Sequence, residues 1–158
     1  MPKFSTERRV PFSASQMYAL VADVERYPEF LPLCTGLVVT SRTAKSAGGE
    51  QLTARMSVGY KSIAESFTTD VDLKPGENRI DVSYLDGPFR HLDNRWRFID
   101  ETTDGRAGSI VDFYITYEFR SAMLGVLVGA MFDQAFRKFA EAFEMRARKV
   151  YGAPTAAV

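Results

Sequence analysis

The chain has 158 residues, 46% of them hydrophobic and 25% charged, which fits one globular domain with a sizeable core. Twenty Lys and Arg balance twenty Asp and Glu, so the formal net charge is zero and no global field draws the chain to DNA, RNA or anionic lipid. The single cysteine, Cys34, excludes an intramolecular disulfide and a thiolate zinc site and fits a reducing compartment.

The first residues, "MPKFSTERRV", lack the apolar stretch of a secretory signal, so an intracellular location is expected: the bacterial cytoplasm, with peripheral contact at the inner membrane, or the mitochondrial matrix. Phe4 to Val10 reads as a strand. Ser13 follows as a helix N-cap, with Gln16 three residues on to complete a capping box. Met17, Leu20, Val21 and Val24 then recur at helical spacing, and Pro28 predicts an end near Tyr27 because it disfavours the helical region for the residue before it. "YPEFLPLC" reads as a short helical turn or loop. Tyr27, Phe30 and Leu31 there are expected to form a lip that meets a membrane surface or a partner, or else a turn packed on the core.

From Leu37 the apolar period becomes two, through Leu52 to Val58, Ile63 to Leu73, Ile80 to Tyr84, Leu92 to Phe98 and Val111 to Phe119. "AGGE", "KPGEN", "LDGPF" and "TTDGRAG" between these runs carry tight-turn signals, so consecutive strands pair as an antiparallel meander. At "GYKSI" the apolar register shifts from even to odd positions, and the junction there is not decided.

A long C-terminal helix closes the order. Phe132, Phe136, Phe139 and Phe143 recur on one side of it, with Asp133, Arg137, Lys138, Glu141 and Glu144 on the other. Its first part, "MLGVLVGAMF" (Met123 to Phe132), is apolar nearly all round and must be covered on both faces or line something apolar. The run is far shorter than the roughly 20 residues of a membrane span. The predicted architecture is α+β: a curved antiparallel sheet of about six or seven strands gripping a long helix, with residues 1–152 as one domain and 153–158 as a flexible tail.

A curved sheet and a straight helix do not fit flush. Val58, Phe67, Val82, Phe89, Leu92, Trp96 and Phe113 of the strands, facing Leu124, Leu127, Val128, Met131 and Phe132 of the helix, either close-pack as plain core or bound an apolar pocket. Gly125 and Gly129 leave room there for a guest, or for close approach of the sheet or a second protein. Asn94 and Trp96 share the face of Leu92 and offer an amide and an indole N–H. Glu65 shares the face of Phe67, either as a protonated donor or as half of an ion pair. His91, the only histidine, has the opposite parity and is expected to be exposed. No nucleophile has another histidine as base, no cluster has metal-ligand spacing, and only Glu65, Tyr60, Tyr84 and Tyr114 are candidate acids or bases, so neither catalytic nor metal residues are expected.

"DVERYPEFLPLC", "ESFTTDVDL", "DGPFRHLDNRWRF" and "FEMRARKVYG" together resemble the coenzyme Q-binding proteins of the START-like (polyketide cyclase/dehydrase) superfamily, a family that includes the bacterial ribosome association toxin. The resemblance runs from about Phe4 to Gly152 and implies a helix-grip fold. It implies a non-enzymatic protein that holds ubiquinone or a similar lipid as a ligand between sheet and helix in support of respiratory electron transport, with no resident cofactor. The toxin relative implies the alternative, binding to the large ribosomal subunit that blocks subunit joining. Arg137, Lys138, Arg146, Arg148 and Lys149 would meet phosphates of lipid or ribosomal RNA, or form a solvated helix face with Glu141 and Glu144.

Overall fold

A computed structural model describes residues 3–60 and 62–152; the tail at 153–158, expected to be flexible, lies outside the described residues. Strand β1 (Lys3–Val10) leads into helix α1 (Ala14–Ala22), which starts where its side chains dictate. The Ser13 hydroxyl accepts from the Gln16 N–H at 3.2 Å, and the Gln16 side-chain oxygen accepts from the Ser13 N–H at 2.9 Å, a reciprocal capping box. Met17 and Val21 on the inner face of α1 are fully buried.

Helix α1 ends at Ala22, earlier than the proline suggests. Asp23 leaves the helical region (φ −84°, ψ 67°), and Val24–Glu29 continues as a 3₁₀ helix with Pro28 inside it. The buried Tyr27 explains the early stop: its hydroxyl donates back to the Val21 carbonyl and folds the segment across the end of α1. The expected lip is therefore half sealed, because Tyr27 and Leu31 are buried and only Phe30 keeps an exposed edge.

Strands β2 (Cys34–Ala44), β3 (Glu50–Tyr60), β4 (Ile63–Lys74), β5 (Arg79–Asp86), β6 (Phe89–Thr103) and β7 (Arg106–Phe119) pair antiparallel with their sequence neighbours, and β1 joins the far edge against β7. The seven-stranded order is β1-β7-β6-β5-β4-β3-β2. At the undecided junction Tyr60 pairs with Ile63. A two-residue loop pairs an even number with an odd one, so the inward face passes from Leu52, Ala54 and Val58 to Phe67, Thr69 and Val71 with no break in the sheet. Register shifts in β2, between Thr68 and Thr69, and between Phe89 and His91 bend the sheet around its concave face. Gly87 makes the β5–β6 turn at φ +144°, where a Cβ would lie 2.6 Å from the Phe67 Cβ.

The expected single long helix is two: α2 (Ala122–Arg137) and α3 (Phe139–Tyr151). Lys138 (φ −98°, ψ −2°) interrupts them, its N–H turned to the Ala135 carbonyl. The bend lets Phe136 and Phe139 both reach the concave face, with ring centroids 5.4 Å apart and nearly perpendicular. On α3, Ala140, Phe143 and Ala147 are buried at spacings of three and four. Arg8 of β1 ties α3 down through a 2.5 Å contact to Glu144. Burial pushes the Glu144 carboxyl up, but hydrogen bonds from Arg8 and Arg148 outweigh it and hold the group below the usual carboxylate range.

Gly125 and Gly129 lie over the Phe119 ring; a Cβ at either would sit 3.7 or 3.8 Å from it, an ordinary contact. Neither glycine is required for space. Gly125→Ala and Gly129→Ala are each expected to stabilise the chain by about 0.5–1 kcal/mol through helix propensity. Thermal unfolding checks this; a lower midpoint in either variant would mean that the close approach needs the missing Cβ.

Candidate functional site

Between the concave face and the helices lies a cavity with about 70 Å³ open to the centre of a water-sized sphere. Seen from the sheet, its wall is Leu37, Ala54, Met56, Phe67, Thr69, Val71, Ile80, Val82, Leu92, Asn94, Trp96 and Ile115; Val24 and Tyr27 close one side and Phe136, Phe139 and Phe143 form the helical wall. Small or branched inward residues on β3 to β5 face a helix broken at Lys138, and neither side fills the space left at the bend. The volume is about half of the roughly 150 Å³ at which a dry cavity admits benzene, so a ring-sized guest requires the wall to give.

Of the residues expected to bind a ligand, Tyr27, Phe67, Val82, Leu92, Asn94 and Trp96 come together on this wall. Val58 is buried further along β3, and Glu65 stands opposite it, half-buried and off the wall. Phe89 and Phe113 are fully buried but packed solid: Phe89 lies 5.5, 5.0 and 5.3 Å from the rings of Phe67, Phe119 and Phe132, and Phe113 lies 4.6 Å from Trp96 and 6.1 Å from Phe139. Phe30 sits outside Phe143 at 5.1 Å, under the Arg146 guanidinium.

The helix residues need the largest correction. Val128 and Phe132 are buried in the aromatic layer with Phe67, Phe89 and Phe119, Leu124 and Met131 are partly buried, and none of them lines the cavity. Leu127 points outward at 64% exposure, beside Met123 at 73% and Val126 at 83%. The first part of "MLGVLVGAMF" is thus uncovered on its outer face, against the expectation that both faces would be covered. The helical wall is supplied one to three turns later, by Phe136, Phe139 and Phe143. Those phenylalanines carried a core periodicity in the sequence, and Thr69 carried the inward parity of Phe67 and Val71; that parity was the available signal for each.

Polar groups on the wall are few and mostly tied. The Trp96 indole N–H donates to the Asn94 side-chain oxygen at 3.1 Å, and the Asn94 amide donates to the Tyr114 carbonyl at 2.9 Å, so each fixes the other's orientation. Burial raises the Tyr27 phenol above its ordinary range, and it stays a neutral donor to the Val21 carbonyl. Tyr60, Glu65, Tyr84 and Tyr114 all lie off the wall, and His91 is exposed. Among the described residues no group of histidine, cysteine and acidic side chains is placed to hold a metal ion, and no helix is long and apolar enough to cross a membrane. The basic residues of α2 and α3 are largely paired: Arg137 with Asp133, Arg146 with Glu29 and Arg148 with Glu144.

An apolar cavity between a curved sheet and C-terminal helices agrees with what the chain is similar to. The ribosome association toxin RatA of Escherichia coli K12 is 37% identical over 153 residues, covering 97% of this chain and 91% of that one. The mitochondrial coenzyme Q-binding protein COQ10 homolog B of Xenopus laevis is 28% identical over 95% of this chain and 59% of its own length. The solution structure of the 18 kDa protein CC1736 from Caulobacter crescentus is 34% identical, covers 97% of this chain and 100% of its own, and superposes with a TM-score of 0.76. The profile described as polyketide cyclase / dehydrase and lipid transport matches residues 10–144, most of the sheet and both ends of the cavity wall. The chain has the START-like helix-grip fold and belongs to the polyketide cyclase / dehydrase and lipid transport family.

Proposed function

We propose that the protein binds a polyprenylated quinone or a related lipid between its sheet and C-terminal helices, without catalysis, in support of respiratory electron transport. The observation that carries this reading is the interior cavity itself: an apolar wall in which Thr69, Asn94, Trp96 and Tyr27 supply the polar atoms. Each buried methylene of a prenyl chain contributes about 0.8 kcal/mol, and the oxygens of a quinone ring need a small number of donors. The relative named for coenzyme Q binding supports the same ligand class.

The present volume does not take a prenylated ring, so binding is coupled to opening. The interruption at Lys138, flanked by the cavity-lining Phe136 and Phe139, is where the helical wall can hinge. Native mass spectrometry of protein purified from a quinone-producing host is expected to show one lipid per chain, identified after extraction as a polyprenyl quinone. An empty protein that also fails to take up added quinone removes this reading.

A second reading has an observation of its own. The uncovered stripe of Met123, Val126 and Leu127 on α2 is an apolar surface that suits a macromolecular partner, and relatives 37% identical are named for ribosome association. On this reading the protein binds ribosomal subunits and hinders their joining. Unaltered sedimentation of subunits at saturating protein removes it.

A further inference from the structure

We infer that Thr69 and Asn94 form the two polar anchors of the cavity, placed for a small ring that carries oxygen on opposite sides. The inference deepens the quinone reading above and rests on it.

Thr69 is a polar residue on the inward face of β4, set between Phe67 and Val71, at 7% exposure. Its side chain lines the cavity; among the described residues its hydroxyl has no hydrogen-bond partner, yet it is not sealed off as the unpaired Ser109 hydroxyl is and so borders open space. A hydroxyl that borders an apolar cavity without a partner is less favourable there than a valine of the same shape, so its presence between Phe67 and Val71 calls for a partner that enters the cavity. Asn94, across the sheet on β6, spends one amide N–H on Tyr114 and its oxygen on Trp96, which leaves its second N–H at the wall.

The register sets their separation. Val71 pairs with Val82 and Val82 with Asn94, so Asn94 is level with Val71, while Thr69 lies two residues further along β4. Two strand spacings across and two residues along put the Cα atoms about 12 Å apart in a flat sheet, and the concave curvature brings the side chains closer. That is the order of distance bridged by a six-membered ring with oxygens on opposite carbons and a hydrogen bond of about 2.9 Å at each end. The anchors differ in kind. The Asn94 amide only donates, so it suits a carbonyl, whereas the Thr69 hydroxyl both donates and accepts and suits a carbonyl or a ring hydroxyl.

Trp96, the only tryptophan, lies on the same wall and reports occupancy by fluorescence quenching. The test titrates purified protein with decylubiquinone, a benzoquinone with a ten-carbon tail, and repeats the titration with decylbenzene as competitor. Thr69→Val, which keeps the shape, is expected to weaken decylubiquinone about 3- to 10-fold, as loss of one neutral hydrogen bond does, and to leave competition by decylbenzene unchanged. Thr69→Ser is expected to restore the wild-type affinity. Equal decylubiquinone affinity in wild type and Thr69→Val overturns the inference, as does an equal loss for both probes, which would mark Thr69 as a packing residue. Should Thr69→Val fail to fold, Thr69→Ala against Thr69→Ser reads the same contrast. No saturable quenching of the wild type by decylubiquinone overturns the quinone reading itself, a separate outcome.

Discussion

Phe143→Ala is expected to destabilise the chain by about 3–5 kcal/mol, the range for truncating a fully buried phenylalanine. The side chain has no solvent exposure, and its ring stands edge-on to three others, with centroids 5.3 Å from Tyr27, 5.1 Å from Phe30 and 5.2 Å from Trp96. Such pairs add about 0.5–1.5 kcal/mol each beyond burial. The position also borders the cavity, so the void left by the ring merges with the space already present and the wall cannot collapse onto it. Urea unfolding should show a lower midpoint with an unchanged slope. A loss below about 1 kcal/mol, no more than the average point substitution costs, would mean that α3 does not seat on Tyr27 and Trp96 as described. The same variant should take up a ring-sized guest more readily than wild type, because part of the opening that binding needs has been made in advance.

Elements whose causes are local were legible in the sequence. Ser13 and Gln16 fix the start of α1 with their own side chains, and glycine turns such as Asp86-Gly87 fix the strand ends, so these appear where they were expected. Inward and outward parity along β3 to β7 also held, because one face of the sheet must be buried. What failed depends on contacts that reach beyond one helical turn. Nothing in "AFRKFAEAF" announces a break at Lys138, since neither proline nor glycine is there; the break follows from Phe136 and Phe139 both finding room on the concave face. The stop at Ala22 follows from the reach of Tyr27 to Val21. Parity also cannot separate an inward residue that touches space from one that touches another ring. Phe89 and Phe113 read like Leu92 and Trp96 in the sequence, yet the first two are packed solid and the second two border the cavity. In the same way, an apolar stretch reveals that it wants cover and not whether its own chain provides it, so the outward side of Leu127 is not legible in the sequence.

Leu127 and Val128 turn that last point into the sharpest test of the fold. They are neighbours on α2, about 100° apart around the axis, with Val128 at 3% exposure under the sheet and Leu127 at 64% facing outward. An arginine at 128 would have to bury an unpaired charge and overfill the layer that Phe132 shares with Phe89 and Phe119; the expected cost exceeds about 4 kcal/mol, enough to unfold a chain of ordinary stability. Arginine at 127 keeps the helix propensity of leucine, and its long apolar stem can cover the surface groove that Leu127 shares with Ile63 and Met131, so its expected effect lies within about 0.5 kcal/mol. Circular dichroism with thermal unfolding separates the two, and bound-lipid content completes the comparison: Leu127→Arg should retain ligand as wild type does, because the cavity wall is Phe136, Phe139 and Phe143 instead. A folded Leu127→Arg protein that had lost its lipid would put the outer stripe of α2 on the ligand's path and refute the cavity's placement. If the variant keeps both fold and lipid yet no longer shifts ribosomal subunits, the stripe is a partner's surface, and subunit binding uses the start of α2 while lipid binding uses the residues on either side of Lys138.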